Sequence, residues 1–230
     1  MKTLTWPNPV EDGPAVDGPG EEFALVAGSE GLQRLLVVPA LFEEANRTRR
    51  LLAQTMRALA ALGIASVLPD LPGCNESLAP LERQNLASWR AGVDAAARHF
   101  RATHVLSLRG GALLAPPGLP GWRFEPLSGA SALRQLVRAR IVAAKEAGRP
   151  EKSEEVMARG RETGLELAGY RLGAAMVRDL AGAELAEPGA RTAILAIADL
   201  GGSALWLRSE PGEDAAMAEV LAATIARGMA

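Results

Sequence analysis

Three short stretches of this sequence hold most of the side chains that could do chemistry: Phe42-Glu43-Glu44-Ala45-Asn46, Asp70-Leu71-Pro72-Gly73-Cys74 and Ser107-Leu108-Arg109-Gly110-Gly111. Glu43, Glu44 and Asp70 are candidate general acids or bases, provided that burial raises a carboxyl pKa toward neutrality; a neighbouring arginine opposes that. The third stretch follows a short apolar run. Its small-x-X-x-Gly spacing is that of a sharp turn that presents a nucleophile between a strand and a helix. Arg109 stands at the presenting position. A guanidinium stays protonated and offers only donors, so it can neither attack a carbonyl nor accept a proton.

The chain's two histidines, His99 and His104, both precede this turn, so no imidazole follows it to serve as general base in a Ser-His-Asp arrangement. Arg109 therefore has two readings. Held at a helix N-terminus with Gly110, Phe42, Asn46 and Ser107 around it, it would bind an anionic ligand. Alternatively it pairs with Glu43 or Glu44 and ties the rim together. Glu43 is also spaced i,i+4 to Arg47, which suits an exposed helix pair. Asn46 fits an N-cap, Asp70 the organiser of a turn, and Ser107 a strand residue pointing into packing. Cys74 has no histidine placed to activate it, and Asp199 no histidine to orient.

At 230 residues with a formal charge of −2, the chain suits one α/β domain, and its balance of charges excludes a global basic field for nucleic acid. A single cysteine leaves no disulfide framework and no Cys-x-x-Cys metal or redox site. No cofactor motif occurs, since no phosphate loop or dinucleotide fingerprint follows a strand. Met1 to Gly20 lacks an apolar signal core, and the longest charge-free apolar stretch, Ala58 to Pro69, is too short to span a bilayer. A cytoplasmic protein is the expectation.

The elements that must position these residues follow from periodicity. Leu4 to Trp6 and Phe23 to Ala27 read as strands around a Pro/Gly-rich loop. Strands at Leu35 to Val38, Ile64 to Leu68 and Val105 to Leu108 alternate with helices at Asn46 to Leu62 and Leu81 to Phe100. That alternation predicts a mainly parallel sheet with helices on both faces. Beyond the turn, Trp122 to Leu127 reads as a strand, Ala130 to Ala147 as a helix and Gly148 to Gly164 as a charged surface helix. Leu165 to Ala168 and a helix from near Leu172 come next, then strands at Thr192 to Ala198 and Ala204 to Arg208 and a closing helix, Glu213 to Met229. Residues 148–182 stand where a helical lid would be inserted, with ordinary helical packing as the other reading. The Arg-rich face of Arg134, Arg138, Arg140 and Lys145 reads as a solvated helix side rather than a nucleic-acid surface.

Phe-Glu-Glu-x-Asn-x-x-Arg-Arg from Phe42, Asp-Leu-Pro-Gly from Asp70, Leu-Arg-x-Gly-Ala-Leu-Leu-Ala from Leu108 and Leu-Ala-Gly-Tyr-x-Leu from Leu167 together resemble the exosortase A system-associated hydrolase family, type 2. The resemblance covers roughly Val37 to Leu185. It implies an α/β-hydrolase-like fold, an arginine where the nucleophilic serine would stand, and a setting among bacterial exopolysaccharide and surface-protein export systems. It implies no particular reaction. On this reading the chain is a binding or accessory protein without a serine triad. Its ligand would be an anionic small molecule or glycan end, and a protein of the export system a further partner. Carboxylate-based hydrolysis or acyl transfer and a purely structural interaction subunit remain the alternatives.

Overall fold

Continuous apolar runs flanked by amphipathic helices build the centre of the molecule. The computed structural model describes residues 1–8, 20–29 and 31–230. Strands β1 (Lys2–Asn8) and β2 (Gly20–Ala27) form an antiparallel pair, and the Pro/Gly-rich connection expected between them lies outside the described residues. β2 joins β4 (Ala65–Pro69) antiparallel, and from there β4, β3 (Arg34–Val38), β5 (His104–Leu108), β6 (Gly121–Phe124) and β9 (Thr192–Leu195) run parallel. The order in the seven-stranded sheet is β1-β2-β4-β3-β5-β6-β9.

Alternate side chains of the central strands enter two apolar layers, because each face is covered. Leu35 and Val37 of β3, with Leu106 and Leu108 of β5, meet α1 (Glu43–Ala61) through Leu51, Leu52, Met56 and Leu59. The closing helix α7 (Ala215–Met229) adds Leu221, Ile225 and Met229 to the same layer. Leu36, Val38 and Val105 face the opposite way, toward Trp89 and Val93 of α2 (Leu86–His99). That second layer continues through α3 (Gly129–Glu146), α4 (Ser153–Thr163), the hairpin β7 (Leu165–Leu167) and β8 (Tyr170–Leu172), and α5 (Ala174–Gly182). Val156, Leu167, Leu172, Met176 and Leu180 pack into the same cluster as Trp89.

Several boundaries differ from expectation for local reasons. α1 begins at Glu43 rather than Asn46, so Asn46 lies inside its first turn; the N-cap position belongs to Phe42, which offers no side-chain cap. Two carboxylates in that turn, Glu43 and Glu44, complement the helix dipole instead. The helix expected from Leu81 is broken into a 3-10 turn, Leu81–Arg83, and α2, because Asn85 accepts from the Ser88 backbone at 2.8 Å while Ser88 Oγ accepts from the Asn85 backbone at 3.1 Å. The helix placed near Leu172 gives way to strand β8 before α5. Thr192 to Ala198 is a shorter strand followed by the single turn α6 (Ile197–Leu200). Ala204 to Arg208 is not a strand but a 3-10 turn, Leu205–Leu207.

Candidate functional site

The loops after β3, β5 and β6 each carry a non-glycine residue at positive φ: Phe42 at 56°, Arg109 at 50° and Glu125 at 46°. Such non-glycine conformations store strain and persist where the surroundings over-determine them. At the elbow the determinant is close backbone approach. A Cβ on Gly111 would lie 2.1 Å from the Pro39 carbonyl oxygen, so only glycine lets the turn after β5 rest on the loop after β3. The elbow leads into a 3-10 turn, Arg109–Leu113, rather than the expected helix; Pro116 and Pro117 follow and admit no α-helical continuation. The helix-terminus contribution to anion binding is therefore absent at Arg109.

Arg109 is directed into a pocket of its own protein. Its Nε and Nη2 each donate to one oxygen of Glu44, both at 3.1 Å, while Nη1 donates to the Glu125 carbonyl at 3.0 Å. The guanidinium carbon lies 4.5 Å from the centre of the Trp206 ring, and the Arg109 and Glu44 side chains are only 8% and 10% exposed. A forked pair under an aromatic cover satisfies both charges without water. Glu43, by contrast, turns toward solvent and pairs with Arg47 at 3.0 Å; Arg47 also donates to the Trp206 carbonyl at 2.9 Å. Glu125 holds the third side, accepting from the Ile197 backbone through Oε1 at 2.8 Å.

A cleft of about 670 Å³ opens above this pair, between the start of α1, the 205–207 turn and α3. Phe42, Glu43, Glu44 and Gly110 line it, with Leu136, Arg138 and Trp206; Arg109 does not, because Glu44 and Trp206 cover it. Asn46 lines a different pocket across Phe42, and fully buried Ser107 lines a third on the α2 side, its Oγ donating to the Trp122 carbonyl at 3.4 Å. Asp70 lines none of these three cavities. It accepts from Asn75 at 2.8 Å and pairs with Arg49 at 3.5 Å, and burial raises its pKa despite those partners. Asp70 thus does not join Glu43 and Glu44 in the cleft.

Both histidines lie at the wrong end of the sheet. His104 opens β5, a five-residue strand, so it stands about 16 Å from the elbow; burial and Arg191 lower its pKa. His99 packs between Trp6 and Phe100 at the far end of α2, with ring centres 5.8 and 4.7 Å apart. The Cys74 thiol is pushed up to about 12 by burial and by the nearby charges of Asp70 and Glu22, the reverse of an activated nucleophile. Asp199 accepts from the Ala196 backbone at 2.7 Å and so caps α6. Among the described residues no cluster of His, Cys, Asp and Glu suits a metal ion, and no helix is long and apolar enough to cross a membrane.

Solved structures share this fold. A protein of Agrobacterium vitis S4 assigned as a hydrolase superposes with a TM-score of 0.56 at 12% identity, over 85% of this chain and 90% of its own. Est1E from Butyrivibrio proteoclasticus gives 0.50 at 14% identity, over 77% and 73%. The fold is that of the α/β-hydrolases. No family model and no curated protein matches the sequence. In α/β-hydrolase terms the elbow, the close approach of the β3 loop and the order of elements are all present, whereas the helix that follows the elbow is missing. Arg109 stands in the turn that follows β5. Sequence reasoning missed Trp206, Glu125 and Tyr170: an apolar pattern does not say that a tryptophan will cover a guanidinium, nor that a glutamate carbonyl will accept from it.

Proposed function

We propose that the chain is a non-catalytic, ligand-binding version of the α/β-hydrolase fold, acting as an accessory protein of exopolysaccharide or surface-protein export. The observation that carries this is the Arg109–Glu44 fork beneath Trp206, which fills the nucleophile's place with a neutralised pair and leaves an open cleft above it. The cleft lies beyond the carboxyl ends of β3 and β5, where the strand order reverses and open α/β sheets bind ligands. Its volume falls within the about 300–1,000 Å³ of small-molecule sites.

The lining favours an anionic small molecule or glycan end with an apolar side. Leu41, Leu136, Val142 and Trp206 offer the apolar surface, and Arg138 on the rim makes no ion pair among the described residues. The anion-binding role first assigned to Arg109 passes to Arg138, since Arg109 is already neutralised. Exposed Leu207 and Val142 beside the cleft favour a second reading, in which a partner protein of the export system docks there.

Two measurements test the proposal. Short-chain nitrophenyl esters should be turned over no faster than by a control protein, and Arg109→Ser should create no activity, because a serine there has no base. Turnover that is lost in Glu43→Gln or Glu44→Gln would replace the proposal with carboxylate catalysis. The anionic dye anilinonaphthalene sulfonate should bind the folded protein about tenfold less tightly in Arg138→Gln, the loss of one charged contact. No saturable binding of the dye, or an unchanged affinity in Arg138→Gln, would leave the docking reading in its place.

A further inference from the structure

A second cavity, of about 270 Å³, lies on the other side of Phe42 at the carboxyl ends of β3 and β4. It differs in kind from the cleft. No charged side chain lines it among the described residues. Its apolar wall is made by the rings of Phe42 and Tyr170, whose centres are 5.4 Å apart and nearly perpendicular, together with Pro39 and Leu71. Its polar groups are Asn46, Asn75, Cys74 and the Tyr170 hydroxyl.

The hydrogen-bonding capacity left over in this pocket is specific. Asn46 Nδ2 donates to Tyr170 Oη at 3.4 Å, which leaves the phenol proton free to donate. Asn75 spends its Nδ2 on Asp70 at 2.8 Å, and the Oδ1 atoms of Asn46 and Asn75 have no partner among the described residues. Two carbonyl acceptors and one hydroxyl donor beside an aromatic wall match a ligand whose groups both donate and accept, as alcohols do. The pocket stays neutral across the physiological range: burial raises the Tyr170 pKa, and the Cys74 thiol is pushed up to about 12. An ion entering it would give up hydration with no charged group in the lining to replace it. The volume lies below the roughly 300–1,000 Å³ of drug-sized sites, so one ring is the largest occupant.

We infer that this pocket binds a single neutral, hydroxyl-bearing ring of the size and class of one sugar residue. Phe42 lines both cavities, so such a ring would sit next to the cleft but separate from it. The inference does not rest on the function proposed for the cleft.

Titration of the isotopically labelled protein with methyl β-glucopyranoside, followed by amide resonances, tests it. The side-chain amides of Asn46 and Asn75 should shift in a saturable way. Tyr170→Phe and Asn46→Ala should each weaken binding about five- to tenfold, the loss of one hydrogen bond. Asn46 is exposed and Tyr170 half-buried, so both variants should keep the wild-type fold and resonance dispersion. Cys74→Leu should abolish binding by filling the pocket. The inference is overturned if the glucoside causes no shift, if its shifts map to Leu136 and Trp206 instead, or if both weakening variants bind as wild type. Saturable binding of uracil or inorganic phosphate here in place of the glucoside would also overturn it.

Discussion

Two arginines in this molecule make almost the same set of bonds. Arg109 forks onto Glu44 and gives its remaining nitrogen to the Glu125 carbonyl; Arg140 forks onto Glu151 and gives its remaining nitrogen to the Glu166 carbonyl. The surface fork is the shorter, at 2.6 and 2.8 Å against 3.1 Å for both bonds at the elbow. Glu151 takes a further donor from Arg159 at 2.7 Å. On bond length alone the Arg140 pair would be ranked first. The ranking reverses once water is counted. The Arg140 and Glu151 side chains are 25% and 23% exposed, so either partner can be rehydrated when the other is lost, whereas Arg109 and Glu44, at 8% and 10%, have far less access to water. The stake in an ion pair is set by what happens to the survivor.

The largest effect should therefore follow Arg109→Met. It strands the buried Glu44 carboxylate, at a cost of about 3–5 kcal/mol. With a shift of about 2–4 °C per kcal/mol for a chain of this length, the melting temperature should drop by on the order of ten degrees. A melting temperature equal to wild type would mean that water reaches Glu44 and that the two pairs do not differ in kind.

Next in size is the recovery in the double variant Arg109→Met with Glu44→Leu. With both charges gone the site becomes apolar, and replacing a whole buried pair by packed hydrophobic side chains is often neutral. Most of the lost stability should return, and a double-mutant cycle on thermal unfolding measures the coupling. If the double variant is as unstable as the sum of its single changes, the penalty lies in packing against Trp206, not in the stranded charge.

How much of this contrast could be read from the residues depends on distance along the chain. The β3-α1-β4-α2-β5 succession was legible because apolar runs and helical stripes are local patterns, and β3 and β5 bury nearly every side chain as expected. The elbow was legible from Ser107, Arg109 and Gly111, and a Glu43 or Glu44 partner followed from their place on the next strand's rim. That Glu44 takes the arginine while Glu43 goes to Arg47 depends on the phase of α1, which starts three residues earlier than Asn46 suggests. Leu205 and Trp206 were read as strand because two adjacent apolar residues carry no period. Their burial serves the covering of Arg109, a contact 97 residues away in sequence that no local pattern encodes.

The smallest effect separates the pairs by pH and salt. Glu151 is held down to about 2 by hydrogen bonds from Arg140 and then Arg159, with their charges adding to it. A carboxyl whose folded pKa lies below its unfolded value contributes stability that is fully present above the unfolded value, about 4.3, and is lost as pH falls toward the folded one. Wild type should therefore lose this contribution between about pH 4.3 and pH 2, and Arg140→Leu should show a shallower acid limb over that window. At neutral pH the same variant should melt close to wild type, and whatever difference exists should shrink as salt is raised. Arg109→Met supplies the contrast: its deficit comes from desolvation rather than from a screened attraction, so added salt should leave most of it in place. A salt titration of thermal unfolding on the two variants side by side decides the matter, and equal salt sensitivity would mean that Arg109 and Arg140 hold their glutamates in the same way.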